Sequence, residues 1–538
     1  MKLPLTSFRE QDAAPPRLNL RAGGQALLTA VGLLALFGAL WAAIVFSSPN
    51  LTGNDDYFHI RFAQVMRQQG LTPPFPWLPL TILNPAEYSD HHFLYHVLLM
   101  PFAGGNLIAG AKGSAAVFGS LAFLMGWWLL RGQRVPFAAL WALGFFAMSE
   151  AFLHRLSMIR VQAVSLLLLL LALHLLIAPG EKQPTRHRLL LPLAFAYTWL
   201  YDAFPLLLAI ITIYVLAMWL FERQLLPRPL LYAALGVALG LLVNPYFPHN
   251  VEFIIHHYLP KITDITAAGI NVGNEWYPYQ TWTLVRNSGP ALAALMAGAL
   301  ALGLRERRMD GVTAALFFIA LFFLALLLKS RRFVEYYPAF ALIFCAVAWK
   351  PLLGGEEGER GDTPHAPRPA ARGVFLLLAM LLPLLTAYNL LQTRAELSDS
   401  RPHQRFAAAS AWLVANSPPG SRVFNTDWDD FSPLFFHNTH NVYMLGLDPT
   451  YMHLRDPALY RLWRDTTQGW GNIGPVIRDE FEAGYAITDL DHQGFIDKAA
   501  SDPYLAEVYR DEFAIIYRVL TEPDPTKKGW YDNEPAAD

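Results

Sequence analysis

GNDDYFHIR, residues 53–61, stands immediately after the first membrane-length apolar run, which covers about residues 25–47. Acidic residues at the mouth of a membrane span are costly unless they bind a cation, orient a polar substrate or act as a base. Asp55 and Asp56 are therefore the first candidates for chemistry in this chain. The plainer alternative is that they cap the helix beginning near Phe58, a common role for Asp.

The surrounding composition sets the architecture. The 538-residue chain is 54% hydrophobic and 16% charged, outside the usual soluble range. Apolar runs long enough to cross a bilayer recur through residues 25–390. Residues 391–538 are rich in Asp, Arg, Asn, Tyr and Trp and contain no such run. The expected organisation is a polytopic α-helical membrane domain over 1–390 followed by a water-soluble domain over 391–538. A net charge of −2 without a basic face excludes a nucleic-acid binder. The single cysteine, Cys345, excludes an intrachain disulfide and a cysteine-ligated metal. No small-residue cleavage site follows the first apolar run, so it reads as an uncleaved anchor.

About eleven spans are expected: 25–47, 113–130, 135–153, 161–178, 189–201, 204–221, 230–245, 289–304, 312–328, 333–349 and 374–390. The apolar stretch 93–110 is assigned as a re-entrant or interfacial helix, because only then is every cytoplasmic segment basic. Those segments carry Arg131 and Arg134, then Lys182, Arg186 and Arg188, then Arg223 and Arg228, then Arg305, Arg307 and Arg308. The N-terminus is then cytoplasmic, and 350–372 forms a flexible cytoplasmic linker. The loops 48–112 and 246–288 and the C-terminal domain lie outside, in the periplasm or extracellular space. A few cations break this pattern: Arg155, Arg160, Lys329, Arg331 and Arg332. A lipid phosphate at the outer surface would explain them, since guanidinium pairs with phosphate oxygens in bidentate geometry. For Arg155 and Arg160, headgroup anchoring explains them equally well.

Several motifs occur in a recognisable order: NDDYFHIRFAQ (54–64), DHHFLYHVLL (90–99), NVGNEWYPYQTW (271–282), SRRFVEYYPAF (330–340) and FNTDWDDFSPLFF (424–436). Together they resemble the catalytic subunit of oligosaccharyltransferases and, more broadly, the GT-C superfamily of membrane glycosyltransferases. The resemblance implies a GT-C-like membrane domain with a C-terminal extracytoplasmic mixed α/β domain. It implies inverting transfer of a sugar or oligosaccharide from a polyprenyl phosphate or diphosphate donor. The acceptor would be a protein, glycan or lipid outside an inner membrane. It puts Asp55 in the position of the catalytic, metal-linked aspartate, with Asp56 and Tyr57 following. Glu275 matches the partner carboxylate, and Arg332 with Phe333 matches the pair that contacts donor pyrophosphate. Arg331, His91, His92, Arg160, Trp428 and Asp429 complete the expected substrate-binding set.

Two departures qualify these expectations. The family's second acidic motif is missing, because HRLSMIRVQAVS (154–165) holds no carboxylate and Arg160 adds repulsion. A divalent cation, Mg or Mn, held by Asp55 and Glu275 would lose one ligand cluster. Near the acceptor motif, DWDDF (427–431) keeps Trp428 and Asp429 but lacks the family's first Trp, its Tyr and its Gly. Sequon-directed transfer is correspondingly weakened.

Other readings of the same residues stay open. Glu275 also fits a solvated loop carboxylate, and Trp428 and Asp429 fit turn and core roles. His91, His92 and His96 suit the polar lining of a groove better than a zinc site. In the C-terminal domain, strand-like runs begin at Ser421, Asn441, Ala483 and Phe513 and alternate with helical segments. A lipid-linked glycan flippase or transporter is the alternative function. That class usually places ionisable groups mid-span and repeats internally, and only Asp202 is such a candidate here.

Overall fold

The computed structural model describes residues 20–180, 183–258, 270, 273–305, 308–354 and 369–527. The expected cytoplasmic N-terminus up to residue 19, Lys182, Arg307 and linker residues 355–368 lie outside the described residues. So do 259–269 and 271–272 of the expected outer loop.

Five described helices are long and apolar enough to cross a membrane: Gly24–Val45, Leu107–Gly132, Pro205–Glu222, Gly311–Lys329 and Gly373–Ser398. A sixth span arises if Glu150–Ser157 and Gln162–Ile177, bent by 110° at their junction, count as one. The chain is thus a multi-pass membrane protein, with fewer spanning-length helices than the eleven runs read from sequence. The difference has a physical source. Run 135–153 is broken into the Ala138–Leu143 helix, a 3₁₀ turn and the start of Glu150–Ser157. The helices Leu190–Leu200, Pro227–Leu242 and Tyr337–Leu353 have 11, 16 and 17 residues. At 1.5 Å per residue all three fall short of a hydrocarbon core about 30 Å thick. Run 93–110 holds a 7-residue helix, Phe93–Leu99, in keeping with its assignment as a non-spanning segment.

Close helix packing is read directly from small residues. Gly119 of the Leu107–Gly132 helix sits so near Trp41 that an added Cβ would lie 2.6 Å from the indole. Leu27, Leu28, Met380 and Leu384 are exposed on these apolar helices, as a lipid-facing surface requires.

After Gly24–Val45 the chain turns into the Asp55–Gln69 helix, with both acids in its first turn, where the helix dipole favours them. Gly70, at φ 107°, ends it. Near the other end of the chain lies a five-stranded mixed sheet. Its strands are β1 (Arg422–Asn425), β2 (Val442–Tyr443), β3 (Tyr485–Asp489), β4 (Leu505–Arg510) and β5 (Ala514–Val519), in the order β2-β1-β3-β5-β4. β1 runs parallel to β2 and β3, and β5 is antiparallel to β3 and β4. The sequence pattern anticipates four of these strands and passes over β4.

The segment after the first membrane-length helix and this sheet region share one hydrophobic core. Phe58, Phe62, Phe75 and Trp77 are buried together with Phe431, Phe435 and Tyr443. Trp77 donates its indole N–H to the Thr439 carbonyl at 2.9 Å, and its own carbonyl accepts from the Tyr443 N–H.

Candidate functional site

Where the Asp55–Gln69 helix, the bent pair and the sheet region meet, a cavity of about 570 Å³ opens. Asp55 lines it from the first turn of its helix. Arg160 comes from the break between Glu150–Ser157, whose N-cap Ser149 accepts from the Phe152 N–H, and Gln162–Ile177. Glu275 lies on a one-turn 3₁₀ segment, Asn274–Trp276. Arg332 lies on another, Arg331–Glu335, which leads into the Tyr337–Leu353 helix.

These side chains form one charged wall. Arg160 donates from Nη2 to Asp55 Oδ2 at 2.7 Å and from Nη1 to Glu275 Oε2 at 3.0 Å. Arg155, behind the wall, reaches the same Glu275 oxygen at 2.9 Å and pairs with Glu335. Arg332 Nη1 lies 3.4 Å from Glu275 Oε1, Nη2 donates to the Tyr201 hydroxyl at 3.2 Å, and the guanidinium stacks over Trp276. Burial raises the Asp55 carboxyl above its ordinary value while Arg160 opposes the rise. At Glu275, burial acts in the same sense, but Arg332, Arg155 and Arg160 hold the carboxyl well below the usual range.

A second part of the lining is made of imidazoles. His59, His91, His92 and His257 all line the cavity. His92 stacks on Tyr201 and His91 on Phe253. His59 Nδ1 lies 2.8 Å from His96 Nε2, and His96 Nδ1 lies 2.7 Å from Asp90 Oδ2. Trp428 and Asp429 also face the cavity, and Asn54 donates its side-chain N–H to Asp429 Oδ1 at 3.2 Å. Burial, then Asp55 and Asp427, push the Asp429 carboxyl up to about 6. Further along, Leu206 and Ala209 of one membrane-length helix face Phe322 and Leu326 of another, so the cavity ends in an apolar cleft.

Of the residues singled out from sequence, Asp55, Glu275, Arg332, His91, His92, Arg160, Trp428 and Asp429 therefore converge. Three do not. Asp56 is fully buried behind the wall, its Oδ2 accepting from the Gly53 N–H at 2.7 Å. Successive helix residues diverge by about 100°, so both acids cannot face one cavity. For the same reason Tyr57 packs against Phe436, its hydroxyl taking the Leu51 N–H. Arg331 leaves the cavity and donates to the carbonyls of Tyr277 and Pro278, pinning the loop that carries Glu275. Sequence reading passed over His59, although it lies one helical turn from Asp55 and so shares its face. It also passed over Tyr201 and Glu335.

The expected Mg or Mn site does not fit these residues. Arg160 bridges Asp55 and Glu275, and Arg155 and Arg332 add two more cations around the same carboxylate. A divalent ion there would face three guanidiniums with only two carboxylates in hand. Among the described residues, the group with metal-ligand spacing is Asp427, Asp489 and His492, outside the cavity. Arg405 already lies 2.9 Å from Asp489 Oδ2, supplying a counter-charge there.

No family model matches the chain, and no curated protein does. Solved structures do match. The archaeal oligosaccharyltransferase AglB of Archaeoglobus fulgidus, in complex with an inhibitory peptide and a dolichol-phosphate, superposes with a TM-score of 0.60 at 13% identity. The match covers 86% of this chain and 70% of that one. The chain has a GT-C fold of the oligosaccharyltransferase kind. The apo form of the Archaeoglobus enzyme gives a TM-score of 0.61 at 12% identity over 91% of this chain and 74% of its own. ArnT of Cupriavidus metallidurans, bound to undecaprenyl phosphate, gives 0.55 at 15% identity over 92% of this chain and 98% of its own.

Proposed function

We propose that this chain is an inverting membrane glycosyltransferase. It would move a sugar or oligosaccharide from a polyprenyl phosphate or diphosphate to an acceptor outside the cytoplasmic membrane. The observation carrying this reading is the continuity of the cavity. One end presents Arg160 and Arg332, and the other presents Leu206, Ala209, Phe322 and Leu326 between two membrane-length helices. A ligand satisfying both ends has an anionic head and a hydrocarbon tail, as a polyprenyl phosphate does. That AglB and ArnT were solved with dolichol-phosphate and undecaprenyl phosphate supports the same choice.

The chemistry follows from the wall. As the bond from the sugar's anomeric carbon to the phosphate oxygen breaks, negative charge grows on the leaving phosphate. Arg332 and Arg160, already desolvated and oriented, stabilise it without reorganising. Glu275 holds the three guanidiniums in place before the donor arrives. Asp55 has Oδ2 committed to Arg160, which leaves Oδ1 to accept a hydrogen bond from the acceptor's N–H or O–H and aim it at the anomeric carbon. Trp428 and Asp429 take the acceptor side. Residues 1–390 would form the membrane domain, with the N-terminus cytoplasmic and 391–538 extracytoplasmic.

The test is transfer of a radiolabelled sugar from polyprenyl phosphate or diphosphate by purified protein in liposomes. Expected are a labelled acceptor and loss of label transfer in Arg332→Ala and Asp55→Ala at normal expression. Lipid movement between leaflets without transfer would replace this reading with a flippase.

A further inference from the structure

The buried chain Asp90–His96–His59 has a direction imposed by chemistry. A carboxylate accepts hydrogen bonds and does not donate them, so the 2.7 Å contact with Asp90 Oδ2 places a proton on His96 Nδ1. A neutral His96 then offers a lone pair at Nε2, and the 2.8 Å contact requires His59 to donate from Nδ1. Neutral His59 is left with its Nε2 lone pair, and His59 lines the cavity one helical turn from Asp55. Asp90 is itself fixed, since its Oδ1 accepts the His92 N–H at 3.0 Å. Asp90 and His96 are 4% and 1% exposed, so water does not compete for these bonds. Such a chain does no work for packing that three apolar residues would not do at lower desolvation cost.

We propose that His59 is the proton acceptor of the transfer, with His96 and Asp90 as positioning residues behind it. This rests on the glycosyltransferase reading above. The acceptor atom, oriented by Asp55, forms its bond to the anomeric carbon with its own electron pair. The sugar–oxygen bond breaks with its pair going to the polyprenyl phosphate, and the acceptor's proton passes to His59 Nε2. The resulting imidazolium is stabilised through Nδ1–H to His96 and from His96 to the Asp90 carboxylate.

The groups facing His59 are His91, His92, Tyr95 and His96 from residues 91–96, Arg160 from the helix break, and Asp55 on its own helix. Burial, then His96, Arg160 and His91, hold the His59 imidazole well below its ordinary pKa, so it waits as the neutral base.

Two measurements test the proposal. Nitrogen-15 solid-state NMR of histidine-labelled protein in liposomes should show His59 protonated at Nδ1 and bare at Nε2, a pattern lost in Asp90→Asn. A proton on Nε2 in the wild type overturns the proposal. Kinetically, His59→Gln should lower kcat about 10²–10⁴-fold while the donor-lipid KM stays put. The acid limb of the pH profile should disappear with it, and adding Asp90→Asn should cost nothing more. If His59→Gln keeps turnover within tenfold, or keeps the acid limb, Asp55 is the base and the proposal falls. Donor-lipid binding checks that each variant is folded. The expected tautomer without any wild-type transfer would leave the imidazole chain standing and remove the glycosyltransferase reading.

Discussion

The two walls of the cavity solve opposite problems. On one side Arg155, Arg160 and Arg332 converge on Glu275, so that the wall holds charge in place. On the other, His59 and His96 are linked by hydrogen bonds whose direction is set by a single carboxylate, Asp90. The charged wall suits a group whose charge grows during reaction. The imidazole wall suits a proton that changes hands. Desolvation serves both, strengthening the ion pairs of the first and keeping His59 of the second neutral.

Outside the His59 chain, breaking the charged wall should have the largest effect. Arg332→Ala is expected to lower kcat about 10²–10³-fold, the usual loss for one oriented donor to developing negative charge. Transfer assays in liposomes measure it, and a loss below tenfold would mean the phosphate is held elsewhere. The next effect in size concerns stability. Asp429, raised by burial to about 6, is protonated in the folded chain at pH values where the unfolded chain is ionised. It therefore costs stability above about pH 6, and the cost fades as pH falls toward its ordinary value of 3.8. Asp429→Asn should accordingly stabilise the protein by up to about 2 kcal/mol at pH 8, with no gain at pH 3.5, as thermal unfolding at the two pH values would reveal. A smaller change is expected from Arg331→Ala. It removes the bonds to the Tyr277 and Pro278 carbonyls but touches no cavity atom, so turnover should fall less than about tenfold, within 1 kcal/mol or so. At the bottom of the scale, EDTA should leave turnover unchanged, because Arg160 already bridges Asp55 and Glu275. Full inactivation by EDTA with recovery on adding manganese would break the comparison at its root.

The charged wall was the legible one. Asp55, Glu275 and Arg332 sit in motifs whose order along the chain resembles a known family, and the cavity brings all three together. What misled was adjacency. Asp56, Tyr57 and Arg331 are neighbours of site residues in sequence, yet helical geometry turns each toward a different surface. Of the imidazole wall, His91, His92 and His96 were read as groove lining, but the link from His96 to His59 escaped because it joins two separate segments. Their relation exists only after folding, with 37 positions between the two histidines. The eleven expected spans outnumber the described helices of spanning length because hydropathy registers apolar length and is blind to the breaks that shorten a helix.

The core shared by the segment after the first membrane-length helix and the sheet carries a consequence for biosynthesis. Trp77 and the carbonyl that receives its N–H are separated by 362 positions. At a ribosomal pace of about 5–20 residues per second, Trp77 waits roughly twenty seconds to over a minute for its partner to be made. Throughout that interval Phe58, Phe62 and Phe75 stand without their final cover while span after span enters the bilayer. The aromatic patch is thus completed only when the last quarter of the chain arrives, which makes late truncations costlier than their distance from the cavity suggests.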